Sequence, residues 1–289
     1  MDVITTVSEM QRRADALRAA GTRLALVPTM GALHEGHLAL VSRARDAAGH
    51  VTVSIFVNPT QFVAGEDLAR YPRPVDEDLR KLREAGVDTV FLPDESAMYP
   101  DRERGQRTWV LTDQLDRYLC GAFRDGHFRG VTTVVTKLVN ACKPHVTVFG
   151  LKDAQQFVII RRMFFDLNVD VEIIGVPTYR DPDGLAASSR NVYLTPAQRA
   201  EAPALYRALT ATRAAIEAGE RDAAALRRAL VDRLEAVPGA RVQYAEIVDA
   251  EVLQPVERLQ AGVDVLVAVA VFFGATRLID NVFVTPPAG

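Results

Sequence analysis

The stretch VPTMGALHEGHLALV, Val27 to Val41, sets His34 and His37 three residues apart beside Gly31 and Gly36. An apolar run precedes the pair and an amphipathic run follows it. That order reads as strand, glycine loop and helix start. Backbone N–H groups and the positive end of the helix dipole then face a bound anion. Glycines let the backbone approach a phosphate closely. The dipole alone contributes about 0.3–1 kcal/mol, so imidazole donors add what it lacks, with His37 donating to a phosphate oxygen as charge develops on it. Zinc is one alternative for two histidines, but a catalytic zinc site takes a third protein ligand. The zincin pattern also spaces its histidines four apart on an established helix. Two capped turn histidines are the other alternative. The spacing and the glycines favour phosphate.

Four further motifs carry candidate chemistry. FVNPTQF holds Asn58 and Gln61, neutral amides suited to a hydroxyl or carboxylate of a small substrate; taken alone it reads as a β-turn around Asn58-Pro59. FGLKDAQQ offers Lys152 to neutralise phosphate charge, Asp153 as a helix cap, and Gln155 and Gln156 in the first helical turn. GLAASSRNVYLT supplies Ser188, Ser189 and Arg190, two hydroxyls and a guanidinium fork for a polyphosphate; a flexible polar loop is its plainer reading. RDGHFRGV places Arg124, His127 and Arg129 ahead of a helix as further anion contacts. His50 and His145 each begin a strand and read as structural. There is no evident Ser-His-Asp triad and no P-loop. A phosphate-binding helix end, a lysine, a mobile Ser-Ser-Arg loop and neutral amides suit attack by a carboxylate on the α-phosphate of ATP, with pyrophosphate leaving in line. Such chemistry needs positioning and charge stabilisation more than a protein nucleophile.

These motifs need elements to hold them. TRLALVPT, HVTVSIFVNP, VDTVFLP, HVTVFGL and DVEIIGVPT read as short strands rich in Val and Ile, buried on both faces. GHLALVSRARDAAG, RPVDEDLRKLREAG, GVTTVVTKLVNACKP and DAQQFVIIRRMFFDLN read as the intervening helices, the second with Pro74 and acids in its first turn and Gly86 at its end as start and stop signals. The alternation implies a Rossmann-like, doubly wound, mostly parallel α/β sheet over residues 1–177, and the motifs fall at strand carboxyl ends, where such sheets bind ligands. From residue 178 the character changes. RDPDGLAASSRN is turn-rich; TPAQRAEAPALYRALTATRAAIEAGE and RDAAALRRALVDRLEAV read as two long helices. RVQYAEIVDA, VDVLVAVAVFF and TRLIDNVFV read as an antiparallel three-stranded sheet, giving a smaller C-terminal α+β domain over residues 178–289.

The chain has 289 residues, 48% hydrophobic and 25% charged, which is ordinary globular composition. Its net charge of −3 argues against a nucleic-acid partner. No signal-type leader or membrane span is expected: the apolar run VDVLVAVAVFFGATRLID is broken at Gly274 and Arg277 and reads as a β-hairpin. Two cysteines, Cys120 and Cys142, make no disulfide framework, so a reducing cytoplasmic setting is expected.

PTMGALHEGHLALV, SIFVNPTQF, YPR, FGLKDAQQ and GLAASSRNVYL together resemble the pantoate–β-alanine ligase (pantothenate synthetase) family, in its order and spacing, over most of Val27 to Leu194. The last third matches in length and pattern more than in motif. The resemblance places the chain among nucleotidyltransferases with an H-x-G-H signature. It implies ATP-dependent condensation of pantoate and β-alanine through a pantoyl adenylate, giving pantothenate, AMP and pyrophosphate. Mg2+ accompanies ATP with no ligand fixed by the protein, and no prosthetic group is implied. By matching position, His34, His37, Lys152, Ser188, Ser189 and Arg190 act on the phosphates, with His37 the main catalytic candidate. Met30, Gly31, Gly36, Gly150, Asp153, Val176 and Ala187 line the ATP site. Gln61, Gln156, Asn58 and Met30 serve pantoate and β-alanine. A homodimer is implied, with the smaller domain as a lid. Two positions depart from the family: Ala187, usually Met or Leu, and Leu151, usually Glu or Gln. The first is expected to loosen adenine-side packing, the second to alter the loop after the strand. A tRNA synthetase shares the H-x-G-H logic but needs a polyanion surface. A regulatory nucleotide-binding module would keep the helix-end site without needing Gln61, Gln156 and Lys152 together.

Overall fold

The computed structural model describes residues 1–101 and 105–288. The chain divides into two compact units. The first comprises Met1–Asp113, Arg124–Leu151 and Ile159–Pro177; the second comprises Gln114–Phe123, Lys152–Val158 and Thr178–Gly289.

Along the first part run β1 (Asp2–Ile4), α1 (Val7–Ala19), β2 (Leu24–Thr29), α2 (Glu35–Ala47), β3 (His50–Ile55), α3 (Val75–Glu84), β4 (Thr89–Phe91), α4 (Glu95–Met98), α5 (His127–Cys142), β5 (Val146–Gly150), α6 (Ala154–Asp166) and β6 (Glu172–Val176). The six strands form one sheet in the order β1-β4-β3-β2-β5-β6, and every pairing is parallel. Strand order reverses between β2 and β5, which opens a crevice at their carboxyl ends. Every residue of β3 is buried, as are all of β2 but Pro28. Burial on both faces is what a parallel sheet covered by helices on each side gives, and here it takes in Thr29, His50, Thr52 and Ser54 along with the apolar residues. Ala25, Val27, Val51, Val53, Val146 and Val148 pack with Leu40, Val41 and Ala44 of α2. His50 begins β3 with its Nε2 3.0 Å from the Thr89 hydroxyl, and His145 Nδ1 accepts from the Leu24 N–H at 3.0 Å. Both are structural, and burial pushes the His50 pKa below the ordinary imidazole value.

Neither β1 nor α1 stands out in the sequence. Three residues are too few to show strand periodicity, and β1 is defined by its register with Thr89–Phe91. HVTVSIFVNP is expected as strand to Pro59, but β3 ends at Ile55. Residues 56–58 are irregular, and a 3-10 turn, Pro59–Gln61, follows, since proline has no N–H for a ladder. His127 and Arg129, expected ahead of α5, lie in its first turn.

The second unit carries α7 (Pro196–Glu201), α8 (Ala204–Glu217), α9 (Ala223–Glu235), β7 (Ala240–Asp249), β8 (Val265–Phe273) and β9 (Thr276–Val284). The three strands are antiparallel in the order β7-β8-β9, and the apolar run is the β8–β9 hairpin. No helix among the described residues is long and apolar enough to cross a membrane. Leu205, Leu209 and Ile216 of α8 and Leu226, Leu230 and Leu234 of α9 pack on Val265, Val267, Val269 and Val271. The expected single helix TPAQ…AGE is two helices. Pro203 precedes α8, and a proline there cannot continue the hydrogen-bond ladder of α7. α7 starts on a capping box between Thr195 and Gln198.

Candidate functional site

β2 ends at Thr29, whose hydroxyl donates to the Ser54 carbonyl at 2.7 Å and accepts from the Gly31 N–H at 3.2 Å. The chain then turns through two left-handed residues, Gly31 (φ 78°) and Ala32 (φ 50°). A Cβ on Gly31 would stand 3.0 Å from Asp78 Oδ2 and 3.1 Å from Ile55 Cγ2, so both space and backbone demand glycine here. Asp78 of α3 is 1% exposed, and its carboxylate accepts from the Ala32 and Leu33 N–H groups at 2.8 Å each. Burial raises its pKa above the usual carboxylate value, against the pull of those two donors. Lys81, one turn on, donates to the Leu33 carbonyl at 2.7 Å.

His34 then caps α2. Its Nδ1 accepts from the Gly36 N–H at 3.2 Å, while its own N–H donates to His37 Nδ1 at 3.3 Å. This is a reciprocal capping box built from two imidazoles. It fixes chemistry as well as shape. Each Nδ1 is an acceptor, so each neutral ring carries its proton on Nε2. The rings lie 4.1 Å apart, tilted by 39°. The box thus engages the Nδ1 atom of each ring at the start of α2. Sequence reasoning expected free amides at this helix end. Instead the His34 and Gly36 N–H groups serve the box and the His37 N–H bonds to the His34 carbonyl at 2.8 Å. The capped turn that the sequence offered as one alternative is the arrangement found.

After β3 the Pro59–Gln61 turn positions Gln61. Asn58 is 1% exposed. Its Nδ2 donates to Gln61 Oε1 at 3.0 Å and to the Gly130 carbonyl at 3.2 Å. Its Oδ1 accepts from the Tyr99 hydroxyl at 2.7 Å and the Thr60 hydroxyl at 3.0 Å. A carboxamide has two donors and two lone pairs, and Asn58 uses all four within the protein, one of them to hold Gln61. Gln61 Nε2 in turn reaches Met30 Sδ at 3.2 Å, bringing those two candidates together. Gly130 lets α5 abut the turn, since a Cβ there would collide with the Thr60 carbonyl and lie 2.7 Å from the Gln61 nitrogen.

Arg124 and His127, expected as anion contacts, are committed elsewhere. Arg124 pairs with Glu66 at 2.5 Å, and its Nη1 lies 2.8 Å from His127 Nε2. His127 Nδ1 lies 2.7 Å from the Gln61 carbonyl. Burial would raise the Glu66 carboxyl, but the Arg124 guanidinium and the Val63 N–H outweigh it and hold it below the ordinary range. Arg129 stacks its guanidinium 4.5 Å from the Trp109 ring centroid. Gly150 and Val176 close β5 and β6.

In the second unit, Lys152 and Asp153 belong to a 3-10 turn, Leu151–Asp153, that runs directly into α6. Asp153 is the last residue of that turn, directly before Ala154. The Lys152 carbonyl accepts from Asn281 Nδ2 at 2.8 Å. Of the two glutamines, Gln155 is buried and spans the Leu115 and Tyr118 carbonyls at 2.9 and 2.8 Å, while Gln156 is half-buried. Ser188 caps a 3-10 helix, Ser189–Tyr193, accepting from the Arg190 N–H at 3.3 Å. Ion pairs anchor the segment before it. Arg180 makes a two-point ion pair with Asp280 at 2.6 and 2.8 Å and lies 3.6 Å over the Tyr206 ring. Arg199 binds Asp181 and Asp183. Ala187 is buried, and its N–H bonds to the Tyr179 carbonyl at 3.0 Å. Cys142 is buried, which pushes its thiol far up and leaves it inert. Among the described residues no cluster of three or more metal-ligating side chains occurs.

Fold and site together define a Rossmann-like α/β protein with an H-x-G-H helix start at its strand reversal. The profile of the pantoate–β-alanine ligase family matches residues 2–283, and the chain belongs to that family. A pantothenate synthetase of Salinibacter ruber is 59% identical over 293 aligned positions, covering 100% of this chain and 99% of that protein. A crystal structure of pantothenate synthetase from Thermus thermophilus is 47% identical with a TM-score of 0.90, covering 99% of this chain and 100% of that one. The pantoate–β-alanine ligase of Francisella tularensis, crystallised with beta-gamma ATP and beta-alanine, is 32% identical with a TM-score of 0.80, covering 98% of this chain and 97% of that one. The chain is accordingly an enzyme, a ligase.

Proposed function

We propose that the protein condenses (R)-pantoate with β-alanine at the expense of ATP, through a pantoyl adenylate. The observation that carries this reading is the capping box by which His34 and His37 start α2 directly after the β2 turn at the strand reversal. A pantoate carboxylate oxygen attacks the α-phosphorus of Mg-ATP, and the bond to the β-phosphate oxygen breaks, releasing pyrophosphate. The β-alanine amine then attacks the acyl carbon, loses a proton, and expels AMP, which keeps the pantoate oxygen. His34 and His37 donate to phosphate oxygens as charge shifts toward pyrophosphate. Lys152, Ser188, Ser189 and Arg190 supply cationic and hydroxyl donors to the phosphates. Met30, Gly31, Gly36, Gly150, Asp153, Val176 and Ala187 line the ATP site. Gln61, beside Met30, and Gln156 hold pantoate, and Gln61 also serves β-alanine. Mg2+ enters with ATP as part of the substrate, and no prosthetic group is needed. The reading takes the enzyme as a cytoplasmic homodimer.

Support comes from family membership and from the Francisella relative, crystallised in complex with beta-gamma ATP and beta-alanine. The test is AMP release measured with each substrate omitted in turn. Sustained release only with pantoate and β-alanine together supports the ligase. No release under any combination would instead fit a nucleotide-binding regulatory module.

A further inference from the structure

We propose that Asp78 and Lys81 of α3 are positioning residues for the two imidazoles, acting through the backbone of Ala32 and Leu33. This rests on the adenylating role given above to His34 and His37. A carboxylate this deeply buried is rare and costly unless hydrogen-bonded. Serving the α3 dipole does not require it, because Asp76 and Glu77 already place acids in that first turn. What Asp78 does contact is the turn between β2 and α2, where it takes the Ala32 and Leu33 N–H groups. Lys81 takes the Leu33 carbonyl. The two side chains stand three residues apart on one helix face and grip Leu33 through both its donor and its acceptor.

The turn needs such a grip. Ala32 is a non-glycine residue at φ 50°, directly after Gly31 at φ 78°. Left-handed backbone of this kind persists only where its surroundings over-determine it. Leu33 is followed at once by His34, whose backbone N–H is half of the box that orients His37. A rotation of the Leu33 peptide therefore moves one imidazole directly and detunes the other through the same hydrogen bond. Neither Asp78 nor Lys81 needs to touch a substrate for this.

The test uses Asp78→Asn, which keeps the shape but offers one carbonyl acceptor to two N–H groups, and Lys81→Met, which keeps most of the stem. Two half-reactions are measured: pantoate-dependent exchange of labelled pyrophosphate into ATP, and β-alanine-dependent release of AMP from supplied pantoyl adenylate. Nitrogen-15 spectra of the imidazoles report the tautomers independently of turnover. Misplacement of about 1 Å costs about a hundredfold in rate. The expected result is therefore a fall of about that size in exchange for Asp78→Asn and a smaller one for Lys81→Met. The second half-reaction should stay within about twofold, and the Nε2–H tautomer should give way to a mixture. Unchanged exchange with unchanged tautomers in both variants overturns the proposal, as does an equal loss of both half-reactions that tracks the folded fraction. Should Asp78→Asn not fold, Lys81→Met decides alone. If the wild-type protein catalyses no pantoate-dependent exchange, the adenylate reading fails; the tautomer spectra still decide whether Asp78 and Lys81 set the imidazoles.

Discussion

The Asn58 carboxamide points one N–H at the Gln61 side-chain oxygen, 3.0 Å away, and spends its other three valences on Gly130, Thr60 and Tyr99. Burial raises the Tyr99 phenol, so it remains a donor at any working pH. Asn58→Ala strips four groups of a partner at once. Leaving buried polar groups unsatisfied costs about 1–3 kcal/mol each, though relaxation will share some of that. We predict a clear drop in melting temperature together with a rise in the KM for pantoate of about tenfold, since Gln61 loses its aim. A stable variant with an unchanged KM would show that Gln61 is held by something else.

His37→Ala separates chemistry from folding. His37 is half-buried and contributes half of a helix cap. Losing a cap costs about 1 kcal/mol, whereas losing a preorganised donor costs about 100- to 1,000-fold in rate. Turnover should therefore collapse while the unfolding curve shifts only slightly. Near-normal turnover would remove His37 from the catalytic set.

The Glu66–Arg124 pair predicts an acid limb in stability. Glu66 ionises at a lower pH folded than unfolded. Its contribution is thus complete at neutral pH and is lost as pH falls from about 4.3, the unfolded value, through the depressed folded value. Urea unfolding of wild type and Glu66→Gln between pH 7 and pH 3 checks the sign. The two stabilities should converge on acidification, and a constant offset across the range would contradict the pairing.

Asp280 is 3% exposed and answers Arg180 across 100 residues of chain. Removing one member of a buried pair strands the other charge, at about 3–5 kcal/mol. Asp280→Ala should lower stability by that order and free the segment before Ser188, read as faster amide exchange over residues 180–187. Protection equal to wild type would mean that the Arg199 bonds suffice to pin it.

How much of this was legible beforehand follows the reach of each interaction. The inner strands read correctly because burial on both faces favours runs dense in apolar residues, a pattern that survives in β3 even though it also buries His50, Thr52 and Ser54. His34 and His37 read correctly as a turn pair because their partners lie within three residues. Asp78 did not, because an acid in a first helical turn already has a sufficient local explanation, and its real partners stand 45 and 46 residues away. Asn58-Pro59 was legible as a turn, but the saturation of Asn58 depends on Tyr99 and Gly130, which only the fold brings near. Arg124 and His127 misled for the converse reason: cationic groups near a helix start suggest an anion, and nothing local reveals that Glu66 and the Gln61 carbonyl already engage them.

The central claim is that pantoate is activated by its own carboxylate at the α-phosphate of ATP. It is tested most directly by running the reaction with pantoate labelled with oxygen-18 in the carboxylate and weighing the nucleotide product. The account predicts one labelled oxygen in AMP and none in pyrophosphate. AMP free of label, or label found in inorganic phosphate beside ADP, would contradict it.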